Sequence, residues 1–402
     1  INIREDEKIK IEDLPLYMQR NTISNKDLSK QTKILDKDTI WVLDKIYKYN
    51  KSVIVKFSGK RAVLSTGVIN GGYSEHLTSV FNNDAKTAPG MGCQLKAPTY
   101  KEHMEIIAEE LGLDPQYTTG MGTAADMKNM SIIVEKYGDL SVTALITGGI
   151  ETNGGRVGDP ASYVENNGKT EKIKHGTINI IVAINGNLPP RTLTRAMITI
   201  TEAKTAAIQE LLEGSKYSNG IATGSGTDGV IVYSNLESEA VYNDSGKHSK
   251  LGELIGKAVK KGVKEALARQ SDLTPEKQKS IFRRGRRYGI TAEEIWNRYI
   301  EKYPKKTEEK LEYIEFIEKI EKNEEIVALT SLYIHLLDQL EWNLLSEETV
   351  KEQCEQIRKL ICDKLQINYE LEEKEEKTLN YLLGKYIMTF VKYITEKWGN
   401  DV

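Results

Sequence analysis

The residue composition changes sharply near position 270, and this change constrains the fold most. Before it, glycine is frequent and short runs rich in β-branched residues dominate. After it, Gly and Pro nearly vanish, and Lys, Glu, Leu, Ile and Tyr recur at helical spacing. A chain of 402 residues also exceeds the size at which one hydrophobic core usually stops growing. The sequence therefore predicts an N-terminal extension at 1–50, a mixed domain at 51–269 and a helical domain at 270–402.

Charge and hydropathy argue against several classes of function. The formal net charge is -3, so the sequence lacks the strong positive charge on which non-specific nucleic-acid binding depends. No run approaches the length of a membrane span, and the first residues lack the apolar segment of a signal peptide. The three cysteines show no CxxC pairing. We therefore expect a cytoplasmic protein that binds neither nucleic acid nor membrane.

Strand and helix signals alternate before position 270. Segments with the β-branched content of strands lie at 52–57, 61–65, 130–135, 141–147, 176–184 and 230–233. Segments with helical periodicity lie at 100–112, 190–212 and 248–268. The first two strands surround a Ser-Gly-Lys turn, and 75–98 indicates an irregular excursion. This alternation favours an α+β fold, a layered α/β sandwich with mixed sheets.

The part after 270 predicts an all-α helical bundle. A Thr-Pro pair at 274–275 is typical of a helix start. Further helices are predicted at 291–302, 307–342, 346–365 and 370–397. Such a bundle could serve as a dimerisation arm, a partner-docking module or a lid, and a homo-oligomer formed through it is one expectation.

Glycine-rich turns adjoin several predicted strands, where a ligand can approach the main chain. The turns at 120–126 and 224–229 resemble phosphate cradles, but neither has a Walker A ending nor completes GxGxxG between a strand and a helix. Asp159 and Asp228 lie in such turns, where Asp is also a common turn former. Tight turns without a ligand are therefore the alternative interpretation.

Two helical segments carry ionisable candidates. His248 begins a predicted helix together with Lys250 and Glu253, whose spacing allows same-face contact, although a polar helix start would look the same. Glu202 lies in an Ala- and Thr-rich helix and faces either a site or solvent. The sequence contains no HExxH motif and no His/Cys cluster, so we predict no metal site.

Seven segments, taken together and in this order, resemble the adenosylcobinamide amidohydrolase family (CbiZ). They are LSTGVINGG at 64–72, GMGTAA at 120–125, TGGIETNGGRVGDP at 147–160, GTIN at 176–179, TEAK at 201–204, GSGTD at 224–228 and GKHSKLGELI at 246–255. The resemblance implies hydrolysis of the amide that joins the aminopropanol arm to a propionate of the corrin ring, which releases adenosylcobyric acid for cobamide salvage. It implies no resident cofactor, because cobalt would enter only as part of the corrinoid substrate. Substrate-binding roles are implied for Asn70, Gly71, Gly72, Arg156, Asp159, Asn179, Lys204, Thr227, Lys250 and Glu253.

A weaker resemblance bears on mechanism. The order of strand, Pro-Pro helix and Ser-Gly-Thr-Asp turn from 176 onward is similar to self-cleaving amidases of the DmpA and ornithine acetyltransferase type. This similarity implies that cleavage after Gly176 makes Thr177 an N-terminal nucleophile, with Asn153 in an oxyanion hole and Thr227 or Asp228 nearby.

Alternative mechanisms and functions remain open at this stage. In the rival mechanism, Glu202, Asp228 or His248 activates water without a covalent intermediate. A corrinoid-binding protein without catalysis is one alternative function. A self-processing amidase or acyltransferase that acts on a small aminoacyl substrate is the other.

Overall fold

The computed structural model describes residues 44–86, 95–161, 177–369 and 378–398. Contacts divide the chain into two compact units, one made of residues up to 211 together with 222–273, and the other of 212–221 together with residues from 274 onward. Most of the predicted N-terminal extension at 1–50 lies outside the described residues. Its described end contributes the strand Lys45–Tyr49 to the first unit.

Twelve strands are described in the first unit. In chain order they are β1 (Lys45–Tyr49), β2 (Ser52–Lys56), β3 (Arg61–Ser65), β4 (Gly72–Ser74), β5 (Ser79–Asp84), β6 (Thr118–Thr123), β7 (Ser131–Tyr137), β8 (Leu140–Gly148), β9 (Gly154–Gly155), β10 (Ile178–Ile184), β11 (Gly224–Ser225) and β12 (Gly229–Asn235). They form a four-stranded sheet ordered β1-β2-β5-β6, a six-stranded sheet ordered β4-β3-β12-β10-β8-β7, and the short pair β11-β9. Parallel pairs, β5 with β6 and β10 with β12, occur beside antiparallel ones, so both large sheets are mixed.

The first unit is built in four layers. Helix α1 (Tyr100–Glu110) packs on the outer face of the four-stranded sheet through an apolar cluster that includes Phe81 and Met104. The two sheets share a second cluster, the inter-sheet core, which includes Val80, Ile181 and Ile231. Helices α2 (Pro190–Leu211) and α3 (Lys250–Ser271) cover the other face of the six-stranded sheet. The predicted layered sandwich with mixed sheets is confirmed.

The central strands are buried on both faces, which explains their composition. Every residue of β8 and of β10 is buried, and β12 is buried over six of its seven residues. Strands between two apolar layers read as nearly continuous β-branched runs rather than as an alternation. The strand predictions at 141–147, 176–184 and 230–233 are confirmed for this reason, apart from Thr177, which precedes β10, and Gly176, which lies outside the described residues.

The two strands around the Ser-Gly-Lys turn are present, but they do not pair with each other. β2 pairs with β1 and β5, whereas β3 pairs with β12 and β4 in the other sheet. Both strands are buried along most of their length. The Ser-Gly-Lys turn therefore connects the two sheets rather than closing a hairpin.

The excursion predicted at 75–98 is wrong in part, because it contains β5. The turn predicted at 120–126 is also wrong in part, since Gly120 and Gly122 lie within β6. Gly120 stands directly opposite Phe81, and a Cβ at this glycine would lie 2.3 Å from the Phe81 ring. Here glycine serves close packing between strands rather than ligand binding.

From residue 274 onward, the described part of the second unit has helices and no strands, as predicted. Its α-helices are α4 (Ile281–Gly285), α5 (Ala292–Lys302), α6 (Lys310–Glu321), α7 (Glu324–Glu341), α8 (Glu347–Leu365) and α9 (Thr378–Lys397). They share an aromatic-rich core that includes Trp296, Tyr313 and Phe390. None of the described helices is both long and apolar enough to cross a membrane. The start of the predicted 370–397 helix lies outside the described residues.

The helix predicted at 307–342 is divided into α6 and α7. The helix is interrupted at Asn323. The backbone of this residue is extended, and its side chain accepts hydrogen bonds from the N–H groups of Glu325 and Ile326. Hydrophobic periodicity continues through this break, so the pattern alone predicted one helix. Asn is a favoured N-cap because its oxygen satisfies N–H groups that have no partner within the helix.

We predict that Asn323→Ala lowers the free energy of unfolding of the helical unit by about 1 kcal/mol, the usual cost of losing an N-cap. Urea unfolding followed by tryptophan fluorescence measures this, since Trp296, Trp342 and Trp398 all belong to the helical unit. Lys322→Ala, one residue away, is the control and should leave the transition unchanged. Equal effects from the two variants would contradict the capping role.

Candidate active site

The glycine-rich motifs meet at one end of the central strands of the six-stranded sheet. β10 and β12 run parallel, so their first residues lie side by side, with Asn179 opposite Gly229. β8 runs antiparallel to β10 and ends at the same edge, with Thr147 opposite Asn179. Segments that are far apart in sequence therefore meet where β8 ends and where β10 and β12 begin.

Thr177 lies immediately before β10 and is buried. Its hydroxyl donates towards two oxygens, the Thr227 carbonyl at 2.5 Å and Asn179 Oδ1 at 3.2 Å. Its own carbonyl accepts a hydrogen bond from the Gly149 N–H at 3.1 Å. Both the side chain and the backbone of Thr177 are therefore held in a fixed orientation.

Asp228 connects three elements around Thr177. Its carboxylate forms an ion pair with Lys204 of α2, and both side chains are largely buried. Oδ1 also accepts from the Ile178 N–H at 3.0 Å and from the Ser225 hydroxyl at 2.5 Å. A carboxylate with this many charge-assisted donors fixes the position of each of them.

Asn179 points into the inter-sheet core. Its Nδ2 donates to Asn82 Oδ1 at 2.8 Å and to the Gly122 carbonyl at 2.9 Å. Asn82 in turn donates to the Thr147 hydroxyl at 2.9 Å. A buried line of polar groups thus runs from Thr177 to β5 of the opposite sheet. Of the predicted residues, the structure brings together Thr177, Asn179, Lys204, Thr227 and Asp228, hereafter the Thr177 cluster.

Asn153 is buried in the loop between β8 and β9. One end of this loop contacts Thr177 through the Gly149 N–H, and the other end pairs Gly154 with Ser225 in the β9–β11 ribbon. The loop therefore borders the Thr177 cluster on two sides.

Glu202, His248 and Lys250 are exposed and Glu253 is half-buried, and none of them contributes to this cluster. Glu202 and Lys204 are two residues apart on α2, a rotation of about 200°, so a helix that directs Lys204 inward directs Glu202 outward. Glu202 pairs with Lys247 at 3.4 Å. Hydrogen bonds from Lys250 and Lys257 hold the pKa of Glu253 at about 2. These residues form a charged helical surface rather than part of the Thr177 cluster.

The remaining predicted residues shape turns. Asn70 has a positive φ of 47° and donates to the carbonyls of Pro115 and Thr118, each at 2.7 Å, while Gly71 precedes β4 and Gly72 begins it. The Arg156 N–H donates to Asp159 Oδ2 at 2.7 Å within the loop after β9. Among the described residues, no three His, Cys, Asp or Glu side chains lie together in a way that could hold a metal ion.

Residues 38–275 match the family model described as adenosylcobinamide amidohydrolase. The chain belongs to the adenosylcobinamide amidohydrolase family. This finding confirms the resemblance carried by the seven segments, and the name of the family indicates an amidohydrolase. The match ends near the boundary between the two units, so almost all of the helical unit after 274 lies outside it.

Two relatives of this adenosylcobinamide amidohydrolase family member each match more than half of the chain. The uncharacterized protein MJ1613 of Methanocaldococcus jannaschii is 35% identical over 242 residues, which are 58% of this chain and 91% of that protein. A protein named adenosylcobinamide amidohydrolase from Methanosarcina mazei is 28% identical over 228 residues, 54% of this chain and 94% of that protein. Among solved structures, the PH0078 protein from Pyrococcus horikoshii OT3 is 11% identical, with a TM-score of 0.28 over 59% of this chain and 82% of that one.

Sequence reasoning did not identify Asn82, Thr147 or Ser225 as part of this site. Asn82 was missed because its strand was interpreted as an irregular excursion. The available signal was the adjacent pair Asn82 and Asn83. Because Asn is depleted in strands, two of them in a buried strand indicate a specific role. Ser225 lies within a recognised motif, but nothing in the sequence showed that its hydroxyl would bind Asp228.

We predict that Gly224→Ala weakens the Lys204–Asp228 pair. A Cβ at Gly224 would lie 2.2 Å from Asp228 Oδ2 and 2.7 Å from Lys204 Nζ. Forcing an atom into such a packed site typically costs about 1–3 kcal/mol, and thermal unfolding measures the loss. Gly226→Ala is the control in the same turn, because its Cβ would meet nothing within 4 Å. An unchanged midpoint for Gly224→Ala would show that the turn relaxes freely.

Proposed function

We propose that this chain hydrolyses the amide between the aminopropanol arm and a corrin propionate of adenosylcobinamide, with Thr177 as the nucleophile. The observation that carries the proposal is the buried Thr177 hydroxyl, held between two acceptors at the start of the central strand β10. The family assignment supports an amidohydrolase, and the substrate is our inference from it.

The surroundings of Thr177 suggest where its proton goes. Both acceptors of the hydroxyl are amide carbonyl oxygens, which orient a proton but are far too weakly basic to remove it. An activated hydroxyl nucleophile needs a base. Cleavage of the bond between Gly176 and Thr177 would supply one, namely the α-amine of Thr177 itself. Gly176 lies outside the described residues, so this step rests on the chemistry of Thr177.

The proposed reaction has two steps. Thr177 Oγ1 attacks the amide carbon, the C–N bond breaks, and aminopropanol leaves with the proton taken from the hydroxyl. Water then hydrolyses the corrinoid ester of Thr177 and releases adenosylcobyric acid. We assign oxyanion stabilisation to the Asn153 loop, since donors fixed around a developing negative charge lower the barrier most effectively. In this scheme cobalt enters only as part of the corrinoid.

We predict that Thr177→Ala lowers the rate of adenosylcobinamide hydrolysis by about 1,000-fold or more, as expected when a nucleophile is removed. Thr177→Ser should retain measurable activity because it keeps the hydroxyl. Chromatographic detection of adenosylcobyric acid and aminopropanol measures both. Thr199→Ala is the matched control: Thr199 is also 4% exposed and also donates to a backbone carbonyl, that of Ser245 at 2.8 Å.

Other outcomes of this experiment would overturn particular parts of the proposal. Wild-type protein that binds adenosylcobinamide without releasing product would be a corrinoid-binding protein. Hydrolysis of small aminoacyl amides, with none of adenosylcobinamide, would indicate the self-processing amidase instead. Near-normal activity of Thr177→Ala would favour water activation over a covalent intermediate.

We predict that the active wild-type protein consists of two chains, divided between Gly176 and Thr177. Intact-mass analysis should give two species whose masses sum to that of the whole chain plus one water. Thr177→Ala should remain one species, since the same hydroxyl attacks the preceding peptide bond. A single uncleaved chain with full activity would contradict autoprocessing without affecting the substrate assignment.

A further inference from the structure

A line of buried polar side chains crosses the otherwise apolar inter-sheet core. It begins at Thr177, continues through Asn179 and Asn82, and ends at Thr147. Asn82 belongs to β5 of the four-stranded sheet, whereas Asn179 and Thr147 are opposite residues of the six-stranded sheet. These groups are hydrogen-bonded, but apolar side chains of similar volume would stabilise the core at least as well, so we look for a role of the line in the site.

The hydrogen bonds fix which way round the Asn179 amide lies. The Gly122 carbonyl is a pure acceptor, and it lies 2.9 Å from Asn179 Nδ2, so the NH2 end must face it. The same NH2 group faces Asn82, which must therefore present its Oδ1. With its NH2 end committed to these two acceptors, Asn179 presents Oδ1 to the hydroxyl of Thr177.

This orientation matters for a nucleophile. The single Thr177 proton lies between two acceptors, the Thr227 carbonyl and Asn179 Oδ1, so neither neighbour donates to Oγ1 and its lone pairs stay available for attack. A flipped amide would instead donate an N–H to Thr177 Oγ1 and occupy a lone pair. We propose that Asn82 is a positioning residue for catalysis: from the opposite sheet, and together with the Gly122 carbonyl, it holds the Asn179 amide in the orientation that keeps Thr177 nucleophilic. This proposal rests on the proposed role of Thr177.

The main test compares two adjacent asparagines of β5. Asn82→Leu removes the acceptor for Asn179 and should lower kcat about tenfold, the effect of one hydrogen bond, with KM little changed. Asn83→Leu is the matched control, because Asn83 is 5% exposed against 3% for Asn82 and also donates to a hydroxyl, that of Ser52 at 2.8 Å. It should leave kcat unchanged. Equal losses of kcat in both variants would show that Asn82 contributes only to packing and would contradict the proposal.

Two further variants separate positioning from folding. Asn82→Asp keeps an oxygen facing Asn179 and should recover most of the kcat lost in Asn82→Leu. Thr147→Val removes the acceptor for Asn82 at nearly constant volume and should lower kcat in the same direction, by less. It also keeps the proposal testable if Asn82→Leu does not fold. A Thr147→Val variant with wild-type kcat, together with no recovery in Asn82→Asp, would overturn the proposal.

A double-mutant cycle tests whether Asn82 acts through Asn179. In an Asn179→Leu background, Asn82→Leu should cause no further loss of kcat, because the amide that it orients is gone. Full additivity of the two losses would contradict the proposal.

A β-lactone probe tests the role of Asn82 independently of the proposed substrate. The measurement is the rate at which the probe acylates Thr177, followed by intact mass. Asn82→Leu should slow acylation about tenfold, by the same single-bond argument, and Asn83→Leu should not. If wild-type protein does not hydrolyse adenosylcobinamide, the substrate assignment fails while these acylation rates still test the role of Asn82. Equal acylation rates in wild type and Asn82→Leu would refute positioning even if the hydrolase activity is confirmed.

Discussion

The site depends on the contacts that the Asp228 carboxylate makes. This carboxylate binds the Lys204 ammonium from α2, the Ser225 turn and the Ile178 N–H at the start of β10. Three elements that are distant in sequence are thereby held beside Thr177. A largely buried ion pair adds little stability by itself, but removing one partner leaves a buried charge that is costly. The pair therefore fixes geometry more than it stabilises the fold.

The inter-sheet core shows a second constraint. Apolar side chains fill it almost throughout, yet Asn82, Thr147 and Asn179 meet inside it with hydrogen bonds between them. In a medium of low dielectric constant, a satisfied network is rigid and an unsatisfied one is expensive. The sandwich can therefore hold an amide in one orientation next to Thr177, which a loop exposed to water would do less well.

Sequence reasoning predicted the parts of the fold that depend on local pattern. β8, β10 and β12 are buried on both faces and are therefore runs of β-branched residues. The helices are buried on one face and are therefore amphipathic. Both patterns can be recognised in the sequence. β5 and β6 were missed because Asn82 and Gly120 are poor strand formers, and only pairing with other strands stabilises them there. Within the site, burial determined which residue of the TEAK motif faces inward: Lys204 does, and Glu202 does not. The motif itself contains no information about that rotation.

The chain passes between the two units three times, after residues 211, 221 and 273. Residues 212–221 belong to the second unit, where the Asn219 carbonyl accepts from Arg287 and the Asn219 amide donates to Glu341 at 2.9 Å. The same segment joins the end of α2, which carries Lys204, to the turn that carries Asp228. Along the chain, residues of the second unit therefore lie between the two partners of the central ion pair. The two units are therefore interlaced in sequence, because the second unit begins with residues 212–221 and resumes only at 274.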